Sequence, residues 1–170
     1  DGKPYFVYVG SIHPRKNIVR LLEAFDAFKA QTKSETKLII VGRKAWQHSD
    51  VEATLDKLAS KNDILFLGHL SSEETASIVA SSLAMCYVSL FEGFGIPIVE
   101  AQQAGTAVIT SNLSSMPEAA GEGALLVDPN DTQAIANAMQ RIFEEPLLRE
   151  TLIQKGFENS KRFSWEKSAE

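Results

Sequence analysis

Glu92-Gly93-Phe94-Gly95-Ile96-Pro97-Ile98-Val99-Glu100 is the stretch on which the reading of this chain turns. An apolar run over residues 85–90 leads into it as a predicted strand, and an apolar helical pattern leaves it toward Gly105, which makes it a strand-to-helix turn. Gly93 and Gly95 carry no Cβ, so the backbone can bend tightly and come close to a ligand. Pro97 suits the first position of a helix, where a missing N–H is no loss. Neither Gly95 nor Ile96, the candidate caps, has a side-chain oxygen for the first backbone donors of that helix. Those donors and the helix dipole favour an anion such as a phosphate. A Gly-rich turn whose donors are met by water is the alternative. Glu92 and Glu100 bracket the turn, and Glu100 lies about 4 to 6 Å along the axis from the first helical residue, at ~1.5 Å per residue. Carboxylates flanking an anion do not hold it; they suit neutral hydroxyls beside it, such as those of sugars, and one carboxylate accepts from two at once.

Outward from this turn, strands and helices alternate. Upstream, residues 64–67 form a strand stopped by Gly68, and Ser71 with Glu74 makes a capping box for a helix containing Ile78 and Val79. Lys37–Val41 is a strand closed by Gly42, and Ser49 with Glu52 reads as another capping box ahead of Val51, Leu55 and Leu58. Tyr5–Val9 is a strand buried on both faces and ending at Gly10. The loop after it carries Ser11, His13, Pro14, Arg15 and Lys16, and Asn17 is placed to cap a helix with Ile18, Leu21, Leu22, Phe25 and Phe28 at helical spacing. Downstream, Gly105 ends the helix that follows the turn. Residues 107–110 and Ala124–Val127 are strands, and residues 131–143 and 147–163 are helices broken at Glu145 and Pro146. The pattern predicts an α/β fold, a parallel sheet of about six strands with helices on both faces. Ligands of such sheets sit beyond the carboxyl ends of the strands. Gly10 with its basic loop and the Glu92 turn both fall there.

Composition narrows the partners. The 170 residues, 44% hydrophobic and 23% charged, suit a single soluble domain with its own core. A net charge of -5, with no local run of Lys and Arg, argues against DNA or RNA. Cys86 is the one cysteine, which excludes an internal disulfide; in its apolar strand it reads as a buried, inert thiol that fits a reducing, cytoplasmic compartment. No apolar stretch of ~18 residues and no signal-peptide pattern is present. The chain begins at Asp1 and enters a strand almost at once, so the expectation is a piece excised from a longer chain.

Spacing alone carries little chemistry. Glu92 and Glu100 stand eight apart, but so do Glu150 and Glu158, and Glu158 and Glu166, on a charged helical stretch that reads as a solvated face. The Gly-Phe-Gly-Ile-Pro filling sets the first pair apart. Gly93 and Gly95 begin a G-x-G-x-x-G pattern, but position 98 is Ile, which weakens a dehydrogenase reading. Neither a Walker phosphate loop nor a G-x-S-x-G elbow occurs. His13, His48 and His69 lack metal-ligand spacing, and Asp128 with Asp131 reads as a turn and a helix cap. The expectation is that no metal is bound.

Six segments in order, GSIHPRKN (10–17), FLGHL (66–70), EGFGIPIVE (92–100), AGTAV (104–108), PEAAG (117–121) and VDP (127–129), resemble the "glycosyl transferases group 1" family. The resemblance runs from about Tyr5 to Trp165. It implies a Rossmann-like domain, the C-terminal, donor-binding half of a retaining GT-B enzyme that uses a nucleotide sugar. The N-terminal, acceptor-binding half would be missing, and residues 147–170 would pack toward it. By similarity, Gly10, Ser11, Arg15, Lys16 and the backbone of Gly95, Ile96, Pro97, Ile98 and Val99 would hold the donor diphosphate. Glu92, Gly93, Phe94 and Gly95 would meet the transferred sugar, Glu100 the ribose diol, and Gly68, His69 and Leu70 the base. Glu92 and Lys16 would be the nearest to catalytic residues, and no protein nucleophile is assigned. Without the resemblance, Arg15 and Lys16 read as a solvated loop.

One position departs from the family pattern. Many members have a basic residue after the glycine of the first motif, where this chain has Ser11, which shifts the phosphate toward Arg15 and Lys16. The Gly-Ser form with Arg-Lys-Asn is similar to mannosyltransferases, which makes GDP-mannose the favoured donor. Trp46 is a candidate for lining an interdomain cleft. The resemblance implies that the isolated domain binds donor weakly and transfers nothing, and that any membrane contact, at the inner membrane surface, comes from the other half. A nucleotide-sugar-binding module without chemistry, and another GT-B enzyme such as a sugar epimerase or a sucrose-type synthase, are the competing readings.

Overall fold

The computed structural model describes residues 2–43 and 49–163. Six strands, β1 (Tyr5–Val9), β2 (Lys37–Val41), β3 (Ile64–Gly68), β4 (Ala84–Tyr87), β5 (Ala107–Ser111) and β6 (Ala124–Val127), form one sheet in the order β3-β2-β1-β4-β5-β6. Every pairing is parallel. The order reverses between β1 and β4, and the connections leave that point in opposite directions, opening a crevice at the carboxyl ends of the strands. Right-handed crossovers place the helices of the two halves on opposite faces. On one side α1 (Ile18–Thr32) packs on α2 (Ser49–Lys57) and α6 (Thr132–Glu144); on the other α4 (Ile96–Gln103) meets α3 (Ser72–Ala80), α5 (Met116–Ala120) and α7 (Pro146–Ser160). This is the predicted Rossmann-like α/β architecture.

Burial on both faces explains why the strands are apolar runs without alternation. Phe6, Phe25 and Phe28 are fully buried between β1 and α1, with the Phe6 and Phe28 rings edge to face at 5.4 Å. The Ser71 and Glu74 capping box is formed in both directions at the start of α3, and Asp131 caps α6 by accepting from the Ala134 amide. Asp128 turns the preceding loop by accepting from the Asn130 amide. α7 packs on its own domain: Asn159 donates to Gln102 of α4 and to the Ala119 carbonyl, both at 2.8 Å. Among the described residues, no helix is long and apolar enough to cross a membrane.

Two local expectations are corrected. β4 stops at Tyr87 rather than at residue 90; Val88 is buried beneath the loop after β1, so its apolar character reflects cover and not strand pairing. Asn17 stands at the start of α1 but its side chain caps nothing there; it donates instead to the Val88 and Pro129 carbonyls. Ser49 is the first described residue of α2, and what precedes it falls outside the described residues. Trp46 and His48 fall outside the described residues, as do residues 164–170.

Candidate functional site

β1 and β2 end in glycines whose backbones touch. Gly10 donates to the Val41 carbonyl at 2.9 Å and Gly42 to the Gly68 carbonyl at 2.8 Å. Gly42 has φ 150°, and a Cβ there would stand 1.8 Å from the Gly10 carbonyl oxygen, so no other residue fits. This close floor leaves room above it for a cavity of about 470 Å³, lined by Gly10, Ser11, His69, Leu70, Pro97 and Glu100 among others. The size is that of a small-molecule site, typically ~300–1,000 Å³. The cavity thus brings together residues expected at a diphosphate, a base and a ribose. Arg43, Ser72 and Thr75 also line it, and sequence reading did not single them out. Gly68, Ile96, Ile98 and Val99 do not line it: Gly68 supports the floor through its carbonyl, and the Ile98 side chain is fully buried in the core.

A second grouping lies beside the reversal point. A 3-10 turn (Pro14–Lys16) follows β1, and Asn17 closes it in the left-handed conformation, φ 62°. Two hydrogen bonds from the Asn17 amide, at 2.9 and 2.8 Å, tie this loop to the exits of β4 and β6. The turn aims Lys16 inward, and the residue as a whole is only 7% exposed, as is Glu92. Lys16 Nζ donates to Glu92 Oε1 at 2.6 Å and to the Tyr87 hydroxyl at 2.7 Å, and stands 4.9 Å from the Tyr87 ring centroid. Arg15 Nη1 reaches Glu92 Oε2 at 3.0 Å and the Phe91 carbonyl at 3.2 Å. Ser114 and Ser115 donate to the Glu92 carbonyl at 2.7 and 2.8 Å, which fixes the backbone that carries the carboxylate.

Burial works to raise the Glu92 carboxyl, but hydrogen bonds led by that from Lys16 outweigh it and hold it below the ordinary carboxylate range. The fully buried Ser89 hydroxyl lies beside this cluster without a hydrogen bond of good geometry, so it acts as a nearby dipole. Burial, then Tyr87 and Glu92, raises the Tyr8 hydroxyl; burial, then Glu92, raises Tyr87. Both phenols are neutral. Burial also raises the Cys86 thiol, in keeping with an inert side chain. Among the described residues, no three His, Cys, Asp or Glu side chains are grouped to hold a metal ion.

Sequence reading placed Arg15 and Lys16 on a diphosphate and Glu92 on sugar hydroxyls; in the structure they are one another's partners. The two roles are compatible by donor count. An ammonium has three donors and a guanidinium five, and Lys16 commits two while Arg15 commits one nitrogen. Two cations against one carboxylate leave net positive charge for an anion. Each Glu92 oxygen also retains acceptor capacity. The turn between cluster and cavity is open: Gly95 caps α4 with φ 94° and no side-chain bond, and the Ile98 amide donates to the Gly95 carbonyl at 3.0 Å. Gly93 and Phe94 are exposed, the Phe94 ring standing edge-on to Phe163 at 5.4 Å.

Tyr87, Ser114 and Ser115 were missed. Their signal was a hydroxyl in an otherwise apolar strand, since a buried hydroxyl needs a partner, and a pair of serines just past the carboxyl end of a strand.

The fold and these two groupings define an α/β domain with a candidate ligand site at the switch point of its sheet. The chain belongs to the family "Glycosyl transferases group 1", whose model matches residues 1–159. It is similar to O-antigen chain mannosyltransferase B of Escherichia coli, at 33% identity over 95% of this chain and 42% of that protein. It is also similar to O-antigen chain mannosyltransferase RfbU of Salmonella typhimurium, at 32% identity over 86% of this chain and 40% of that protein. Among solved structures it resembles sucrose-phosphate synthase from Thermosynechococcus elongatus, with TM-score 0.84 and 30% identity over 98% of this chain and 43% of that one. The chain therefore spans less than half the length of these relatives.

Proposed function

We propose that this chain is the C-terminal, donor-binding domain of a retaining glycosyltransferase that moves a hexose from a nucleoside diphosphate to an acceptor hydroxyl. The observation that carries the reading is the adjacency of a nucleotide-sized cavity, edged by Glu100, to a cluster with cationic excess in which Lys16 and Glu92 are buried and Arg15 is exposed. The base and ribose occupy the cavity against His69, Leu70 and Glu100, and the diphosphate reaches from Gly10 and Ser11 toward Lys16 and Arg15. The hexose lies against the 93–95 turn, where Glu92 accepts from its hydroxyls. As the glycosidic bond to phosphate breaks, charge grows on the leaving diphosphate, and fixed cations stabilise it there. The acceptor attacks from the face the diphosphate leaves, and the diphosphate helps to remove its proton. No metal takes part in this scheme. The mannosyltransferase relatives support mannose as the sugar, with GDP-mannose as the donor.

The test is a titration of this domain with GDP, UDP and ADP and then their sugar nucleotides, followed by backbone amide shifts. Shifts confined to Lys16, Gly68, His69, Leu70 and residues 93–100 with one base support the reading. A response to none of them, in this domain and in the full-length protein, overturns it. The similarity to sucrose-phosphate synthase favours a second reading, a sucrose-type synthase, which product analysis of the full-length protein separates from a mannosyltransferase.

A further inference from the structure

Tyr87 is the last residue of β4, 1% exposed, at the end of Ala84-Met85-Cys86-Tyr87, where every other side chain is apolar or inert. Packing alone would accept Phe at this position. The hydroxyl instead accepts from Lys16 at 2.7 Å, and the ammonium stands beyond this hydroxyl edge, 4.9 Å from the ring centroid. The hydroxyl oxygen is therefore the part of Tyr87 that holds the ammonium.

The holder is itself held. Tyr8 of β1 stacks on the Tyr87 ring at 6.1 Å and 14°, and Thr110 of β5 donates to the Tyr87 carbonyl at 2.7 Å. Lys16 has a flexible four-carbon stem with many open rotamers. Glu92 by itself would leave the ammonium free to swing around the carboxylate, whereas a second, rigid acceptor fixes its direction. Because burial and the nearby Glu92 charge keep the phenol neutral, Tyr87 directs Lys16 without cancelling its charge.

We infer that Tyr87 is a positioning residue, acting through Lys16 to aim its remaining donor at the diphosphate of the nucleotide; the inference rests on the nucleotide-sugar reading above. Tyr87→Phe keeps the ring and its stack on Tyr8 and removes only the hydroxyl.

The experiment is calorimetric titration of the wild-type protein, Tyr87→Phe, Lys16→Met and the double variant with the nucleoside diphosphate and the matching monophosphate. The expected result for Tyr87→Phe is about a tenfold loss of diphosphate affinity, the scale of one hydrogen bond to a charged group, with monophosphate affinity unchanged within about twofold. In the Lys16→Met background the same change should have no further effect, because the residue acts through Lys16. Tyr5→Phe is the control: it loses an equivalent bond, to the Ile78 carbonyl at 2.6 Å, away from the cluster. Equal losses for both nucleotides, a loss that persists without Lys16, or a fall in thermal stability alone would show Tyr87 to be structural and overturn the inference. A wild-type protein that binds neither nucleotide overturns the nucleotide reading itself, a separate and recognisable result.

Discussion

Two clusters in this domain have the same make-up, one carboxylate between two cations, and lie at opposite ends of the sheet. Asp63, just before β3, pairs with Lys37, the first residue of β2, and with Lys29 of α1 at 2.9 Å. Glu92 pairs with Lys16 and Arg15 beyond the carboxyl ends of β4 and β1. The Asp63 side chain is 28% exposed, and Lys29 is also committed to the carbonyls of Ser34 and Thr36. The Glu92 side chain is 8% exposed, its backbone is pinned by two serines and its lysine rests on a tyrosine. The first cluster fastens a helix to two strands. The second holds spare donors at the switch point. Position on the sheet, burial and uncommitted donors separate a fastening from a site; the charges alone do not.

The comparison breaks most sharply on turnover. Lys16→Ala in the full-length protein should lower kcat by about a hundredfold or more, the scale of losing one fixed donor at a developing negative charge, while Lys37→Ala leaves kcat unchanged. Equal, small effects would make both clusters fastenings. Stability comes next. Glu92→Ala leaves Lys16 buried without its carboxylate and should destabilise by about 3 kcal/mol in urea unfolding, against about 1 kcal/mol for Asp63→Ala at its wetter location.

The two clusters should then behave alike on acidification. Hydrogen bonds from Lys37 and Lys29 hold the Asp63 carboxyl below its ordinary value, and those from Lys16, set against burial, do the same for Glu92. The unfolded chain therefore binds more protons, and stability rises with pH. Both contributions are complete at neutral pH and disappear as the pH falls through the carboxylate range, near about 4, and past each folded value. A Tm series from pH 6 to 3, with those limits taken as approximate, should fall less steeply for Glu92→Gln and for Asp63→Asn than for the wild type. The smallest difference is in salt: the Lys37–Asp63 coupling in a double-mutant cycle should shrink in about 1 M NaCl, where the Debye length is ~3 Å, and the Lys16–Glu92 coupling should hold.

Much of the fold was legible because burial on both faces writes itself as apolar strands, each stopped by a glycine or a polar loop. It misled at Val88, where cover by the loop after β1 imitates strand character, and at Asn17, whose amide has better partners in carbonyls far along the chain than in its own helix. Within the site, Gly10, Ser11, His69, Leu70, Pro97 and Glu100 were legible through their turns and the family resemblance, and they converge on one cavity. The bond between Lys16 and Glu92 was not. It joins residues 76 apart, and no local spacing rule reports a pairing made by the order of strands in a sheet.

The Asn17 amide has a consequence for how the protein is made. Its two acceptors lie 71 and 112 residues further along the chain. Contacts of such separation carry a large loop-closure entropy and slow folding. A nascent chain that has not yet released Pro129 can pair its first strands but cannot complete this tie. The tie that fastens the loop carrying Arg15 and Lys16 to the exit of β6 is therefore completed only after Pro129 has emerged. A ribosome stalled before that point presents a sheet without a finished rim.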